Sequence, residues 1–380
     1  MKVFFSAYTC KGNTGDVLIN KLQIEEYAKF GEVFVDCTGM PKDFYDIIFK
    51  TKNPNIKDFV KTYGISYRSK NMLRALKLMQ KEGFTYFTKS PGPYAYIKFP
   101  IKTFIIRLIG ALGYWIAYKK GMKVIALGID LNYGKEFTWL QKLNNLYFSI
   151  YSKLGIRSII NTKQLSQSLS NVEYIPDMAF LYPMPIAAPK IEKRKKVALS
   201  FRMVDDMGVL LEKVKTICDF FREKEYDIEI VCQVEEDLVI CRKLSNSLAL
   251  YGVNFRQQLI DYNQLNVYTQ YAFIFTNRLH VALMGAIHGA IPYAIISHDI
   301  KEYKLSCIFD TVFSKHLWCY QDIMNITILE KLFKEQNTIS QLLRNELLYQ
   351  RDICTTAIKT MFLSDDVYAD LLESHVIYNI

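Results

Sequence analysis

Residues 271–299 read YAFIFTNRLHVALMGAIHGAIPYAIISHD. An apolar run from Phe273 to Thr276 gives way to two polar residues and then to small and apolar side chains that stop at Gly289, before Pro292 and a second apolar run, Tyr293 to Ser297. Strand, helix and strand in that order, with connections this short, form the unit of a parallel sheet with a crossover helix. Asn277 is a good N-cap type, so the helix is expected over Arg278–Gly289.

The same alternation recurs outward from this segment. In the first half, strands are expected at Lys2–Tyr8, Val33–Cys37, Asp46–Phe49, Thr85–Thr88, Val124–Gly128, Ser158–Asn161 and Glu173–Ile175. In the second half they are expected at Lys196–Phe201, Asp227–Cys232, Phe273–Thr276 and Tyr293–Ser297. Helices fit between them at Val17–Phe30, Lys70–Glu82, Ile101–Lys120 and Val209–Lys224, and a long amphipathic helix at Thr338–Met361. Between the halves lies LYPMPIAAPKIEKRKK, where Pro183, Pro185 and Pro189 suppress both helix and central strand. The chain therefore divides near residue 190 into two α/β units, 1–189 and 190–380. A ligand is expected in the cleft between them, at the carboxyl ends of the strands.

Composition agrees with a folded protein of two ordinary domains: 380 residues, half of them apolar, 23% charged, with a net charge of +10. The densest basic cluster, Lys190–Lys196, holds five cations against Glu192, and the aromatics carry no RNA-recognition signature. Nucleic acid is not expected as a partner. Eight cysteines without a C-x-x-C pair, and no histidine at zinc spacing, point to a reducing cytoplasm and no metal. The apolar run Val3–Tyr8 is too short for a secretion signal. The greasy stretch Phe104–Tyr118 is 15 residues interrupted by Arg107, short of the ~20 that span a bilayer. Its helix, with Lys102, Arg107, Lys119 and Lys120, is expected to be a buried crossover ahead of the Val124 strand; the alternative is a basic amphipathic helix resting on an anionic membrane.

At the start of the Arg278 helix, free N–H groups and the helix dipole would join Arg278 and His280 in a pocket for phosphate or carboxylate. An Arg paired with a surface acid and a His satisfied in the core is the plainer alternative. His288, near the helix C-terminus, reads as structural. Asn13 and Asp16 lie in a glycine-bearing turn after the first strand, where either ligand contact or helix capping is open. Asp177 follows Pro176 and could hold a sugar hydroxyl, act as a base or cap the next segment. His298 and Lys301 stand just past a strand end and could line the cleft.

The strand followed by RLH, a small-residue helix and IPYAIISHDIK resembles the hallmark segment of the polysaccharide pyruvyl transferase family, which ketalates sugars with phosphoenolpyruvate. GNTGD at 12–16, VIALGID at 124–130, IPDMAF at 175–180, VALSFR at 197–202 and CQVEED at 232–237 resemble further elements of that family in the same order, from residue 3 to about 305. The resemblance implies two Rossmann-like parallel-sheet domains facing a cleft, a GT-B-like architecture. It implies a cytoplasmic enzyme, at most peripheral to the inner membrane face, that moves a pyruvyl group onto a surface-polysaccharide glycan, with phosphoenolpyruvate as donor substrate and no cofactor. It places the donor on Arg202, Arg278, Leu279 and His280, with His280 as catalytic acid and Arg278 beside it; the glycan acceptor, lipid-linked or not, would meet Asn13, Asp16, Asp177, His298 and Lys301. Chemistry agrees, since a small enol bearing phosphate and carboxylate wants forked cations, and a group such as imidazole suits the proton steps. Three departures from the family pattern, KSPGPY at 89–94, Arg157–Ser158 where an Arg-Asp pair is usual, and Ala290 for glycine, are expected to fall outside the donor pocket.

The rival is a glycosyltransferase of the same architecture using a nucleotide sugar. Such enzymes commonly grip ribose hydroxyls with a carboxylate of the second lobe, and none occurs between Asn277 and Ser297. A non-catalytic glycan-binding relative is the third reading; the trio Arg202, Arg278 and His280 argues against it.

Overall fold

A computed structural model of the chain describes residues 1–9, 12–68, 71–94, 100–131, 145–185, 190–298 and 300–362. Among the described residues, fourteen strands fall into two parallel sheets. The first contains β1 (Lys2–Ser6), β2 (Glu32–Asp36), β3 (Ile56–Asp58), β4 (Tyr86–Lys89), β5 (Gly92–Tyr94), β6 (Lys123–Leu131), β7 (Lys153–Ile156) and β8 (Val172–Tyr174), in the order β3-β2-β1-β4-β6-β7-β8 with β5 beside β6. The second contains β9 (Lys196–Ser200), β10 (Asp227–Ile230), β11 (Asn254–Phe255), β12 (Tyr271–Thr276), β13 (Ile291–Ile296) and β14 (Trp318–Tyr320), in the order β11-β10-β9-β12-β13-β14. The central strands are predominantly apolar, as expected where helices cover both faces: every residue of β12 and β13 is buried.

Two expected strands are helices. Residues 46–49 belong to the helix Lys42–Phe49, which buries Phe44 and Ile48 one turn apart, a four-residue spacing that a short apolar run disguises. Ser158 caps the helix Ile159–Ser166 by accepting the Asn161 N–H, and the strand lies one step earlier, at β7. The helix Pro100–Lys119 does cross over to β6, but it is not buried: only the face with Tyr114 and Ala117 packs inward. The tail forms the helix Gln336–Phe362, which leaves the second domain and ends on the first. Its Phe362 ring meets those of Tyr27 and Tyr86 at 5.0 and 4.8 Å, and Tyr174 donates to Gln350 at 2.6 Å. This strap, with the helix Thr14–Tyr27 and the turn Met178–Leu181, joins the two domains in one apolar core. Pro189 lies outside the described residues.

Candidate functional site

Strand order reverses between β1 and β4 in the first sheet and between β9 and β12 in the second. Loops diverge at such points and leave a crevice at the carboxyl ends. At the first, Gly12–Asp16 crosses to the second domain. Thr14 N–H donates to the Gln233 carbonyl (3.3 Å), Glu235 N–H to that of Gly12 (3.0 Å) and Thr14 Oγ1 to that of Ile260 (2.9 Å). Gly12 sits at φ +65, where a Cβ would lie 2.7 Å from that of Glu235. Asn13 caps the Thr14–Tyr27 helix by accepting the N–H groups of Gly15 and Asp16. Gly15 lies against the His280 ring so closely that a Cβ would stand 2.1 Å from Nδ1.

At the second reversal, Thr276 Oγ1 donates to the Ser200 carbonyl at 2.6 Å, and the Arg202 N–H donates to Asn277 Oδ1 at 2.8 Å. Asn277 is therefore not the N-cap. Its side chain is turned to the neighbouring strand end, and the cap position falls to Arg278, which has no side-chain acceptor; the helix is Leu279–Ile287. Its first-turn N–H groups stay available at the dipole's positive end.

Asn13, Asp16, Arg157, Arg202, Gln233, Asn277, Arg278, Leu279, His280 and Lys304 line a cavity of about 110 Å³ between these loops. Behind its wall runs a buried ionic chain. Arg157 Nη1 donates to Asp177 Oδ2 at 2.7 Å and its Nε lies 3.6 Å from Asp130, all three side chains being 2% exposed or less. Asp177 also accepts the Ala179 N–H at 2.9 Å and stands 3.6 Å from His280 Nε2, just beyond hydrogen-bond reach. Arg278 pairs with the buried Asp237. Among the described residues, buried donors without a hydrogen-bond partner include Arg157 Nε, Gln233 Nε2, Arg278 Nε and His280 Nε2 in the cavity wall, as well as Arg256 Nε and Tyr268 Oη outside it. Buried donors are rarely left so, and four of them gather at this one cavity.

The charges move the titrations of their neighbours. Burial pushes the Asp177 carboxyl up, but His280, Arg157 and the Ala179 N–H together hold it well below the usual carboxylate range. Burial raises Asp237 despite Arg278 and Arg202. Burial, then the fields of Arg157 and Arg202, push the Lys304 ammonium down to about 8, with Asp130 pulling the other way.

Of the residues expected from sequence, Arg202, Arg278, Leu279, His280, Asn13 and Asp16 share this one cavity. Asp177 does not line it; at 1% exposed it stands behind His280, out of reach of a sugar hydroxyl. His298 is turned outward, stacked on Tyr320 at 4.1 Å with Nε2 3.2 Å from Asp322. Lys301 lies in the helix Ile300–Val312, with its side chain outside the described residues. His288 is buried at its helix end, Nδ1 2.8 Å from the Met284 carbonyl. At the Arg157–Ser158 departure, Ser158 caps the helix Ile159–Ser166 and does not line the cavity, whereas Arg157 before it forms part of the wall. Arg157, Gln233, Asp237 and Lys304 were missed: Arg157 ends an unrecognised strand, and a lone Lys inside a helix gives no signal.

No family model matches the chain, and no curated protein matches it. Solved structures do match over nearly the whole length. A glycosyltransferase from Rickettsia africae aligns with a TM-score of 0.63 at 10% identity, covering 95% of this chain and 97% of its own. A UDP-GlcNAc 2-epimerase from Neisseria meningitidis, bound to UDP-GlcNAc, aligns at 0.59 and 10% identity over 95% and 99%. HepE of Anabaena, in complex with UDP and glucose, aligns at 0.56 and 12% identity over 98% and 100%. The fold is GT-B-like. At these identities the likeness reaches no further than two Rossmann-like domains and their cleft.

Proposed function

We propose that the chain is a transferase of surface-glycan synthesis whose donor places its anionic group in the interdomain cavity, and that the donor is phosphoenolpyruvate. One observation carries the choice: three guanidinium groups, an ammonium and an imidazole, against the single carboxylate of Asp16, line about 110 Å³, well under the ~300–1,000 Å³ of pockets for drug-sized ligands. That suits a three-carbon dianion. In this reading Arg202 and Arg278 hold the phosphate and carboxylate, and His280 gives a proton to the methylene carbon. One sugar hydroxyl adds to the cationic carbon and returns its proton to His280, and a second displaces phosphate, its proton leaving with the phosphate as a pyruvate ketal forms. Asp177 supports the imidazolium, and Lys304 supplies further positive charge where phosphate departs.

A nucleotide-sugar glycosyltransferase is the second reading, and the fold neighbours favour it: the Rickettsia africae protein is a glycosyltransferase, and HepE was solved with UDP and glucose. The lack of acids between Asn277 and Ser297 counts little against it, because Asp237 reaches the same strand ends from elsewhere in the chain. Incubation with phosphoenolpyruvate and a panel of lipid-linked or synthetic glycosides is the test. Acceptor-dependent phosphate with a mass gain of one pyruvyl group supports the first reading; transfer of a hexose from a nucleotide sugar replaces it with the second.

A further inference from the structure

Residues 70–123 contain eleven Lys and Arg against a single acid, Glu82, so this stretch alone accounts for the chain's net charge of +10. The cationic excess that looks dispersed along the sequence is thus regional. Two helices of the stretch, Met72–Lys81 and Pro100–Lys119, pack together: a Cβ on Gly113 would meet Met72 Sδ at 2.8 Å. Neither contains Asp or Glu.

Pro100–Lys119 turns Tyr114 and Ala117 inward and presents Ile105, Leu108, Ile109, Leu112, Trp115 and Tyr118 to solvent, each 49–56% exposed. Their spacing of three and four residues makes one continuous apolar stripe. On the neighbouring helix Leu73 is exposed, as are Arg74, Lys77 and Lys81, and Lys119 sits 5.9 Å from the Trp115 ring at the stripe's end. No described helix is long and apolar enough to cross a membrane.

We infer that this face lies on an anionic lipid bilayer, the apolar stripe entering the headgroup boundary and the flanking cations meeting lipid phosphates. Each part of the pattern has a use there. Six large apolar side chains serve no purpose toward a nucleic acid or a soluble polyanion, and a second copy of the chain would bring an equally cationic face against this one. The inference does not depend on the donor, so it stands or falls separately from the assignment of the cavity.

Vesicle co-sedimentation with the full chain tests it. Binding is expected to vesicles of phosphatidylcholine with phosphatidylglycerol, weakly or not at all to phosphatidylcholine alone, and to decline with salt. The combined substitution Leu108→Glu, Leu112→Glu and Trp115→Glu should lower partitioning by about tenfold or more, with the thermal midpoint unchanged because these side chains are exposed. Arg74→Glu with Lys77→Glu should weaken binding about fivefold or more at low salt only. Wild-type protein that ignores anionic vesicles, or binds them equally well with either set of substitutions, overturns the inference. So does a dimer in sedimentation velocity, without lipid, that the Glu substitutions disperse, since that outcome gives the face to a second copy.

Discussion

Arg157 and Arg278 each face a buried carboxylate at the wall of the interdomain cavity, whereas the cations of Met72–Lys81 and Pro100–Lys119 stand on helices with no acid of their own. Both regions are positive, yet they hold charge in opposite ways. In the cavity the guanidinium groups of Arg157 and Arg278 are fixed by ion pairs and the His280 imidazole by its contact with Gly15, so position decides what binds. Among the described residues of the helical face no ion pair fixes Arg74, Lys77, Lys81 or Lys119, and area and net charge decide. Single substitutions should therefore be severe in the first region and mild in the second, while salt should matter mostly in the second.

The largest difference should appear in turnover. His280→Ala is expected to lower acceptor-dependent phosphate release by about 10²- to 10⁴-fold, while the protein stays folded by circular dichroism and binds vesicles as before. Stability should separate the regions next. Arg157→Leu leaves Asp130 and Asp177 buried without their cation and should cost about 3–5 kcal/mol in urea unfolding, against about 0.5 kcal/mol or less for Arg74→Glu on the open face. Equal losses would erase the distinction.

Gly15→Ala should come third. Its methyl group must displace the His280 imidazole, at a cost of about 1–3 kcal/mol and with a larger loss of phosphoenolpyruvate affinity than of stability. The smallest effect is in pH. Since Lys304 is pushed down to about 8, affinity for a small dianion should fall severalfold as pH rises through that value, and calorimetric titration of Lys304→Met should show no such step. The unfolded chain binds this proton up to about pH 10.4, so the folded state holds fewer protons between the two values and stability should rise across that window. Vesicle binding should show no inflection at pH 8.

The architecture was legible because buried parallel strands announce themselves as apolar runs; Phe273–Thr276 and Tyr293–Ser297 did so, although the strands Tyr271–Thr276 and Ile291–Ile296 each begin two residues earlier. Short edge strands such as Ile56–Asp58 and Trp318–Tyr320 were not, having too few residues for any period. In the site, Arg278 and His280 were found from their place at a helix start after a strand together with the RLH resemblance, and Arg202 chiefly from the resemblance of VALSFR. Arg157 and Lys304 were not, because their meeting with the others depends on how far β7 and the Ile300–Val312 helix reach across the cleft, which only tertiary packing decides. The exposed stripe of Pro100–Lys119 was misread for a related reason: an apolar helix with cations looks alike whether or not a second layer covers it.

The cavity's proposed donor can be tested directly by thermal unfolding of the full chain with phosphoenolpyruvate, UDP and UDP-sugars, each in wild type and in Arg278→Ala. A ligand at 100 times its dissociation constant stabilises by about 2.7 kcal/mol. Saturable stabilisation by phosphoenolpyruvate alone, lost in Arg278→Ala, is the expected result. Stabilisation by UDP or its sugars with none by phosphoenolpyruvate would contradict it and give the cleft to a nucleotide donor.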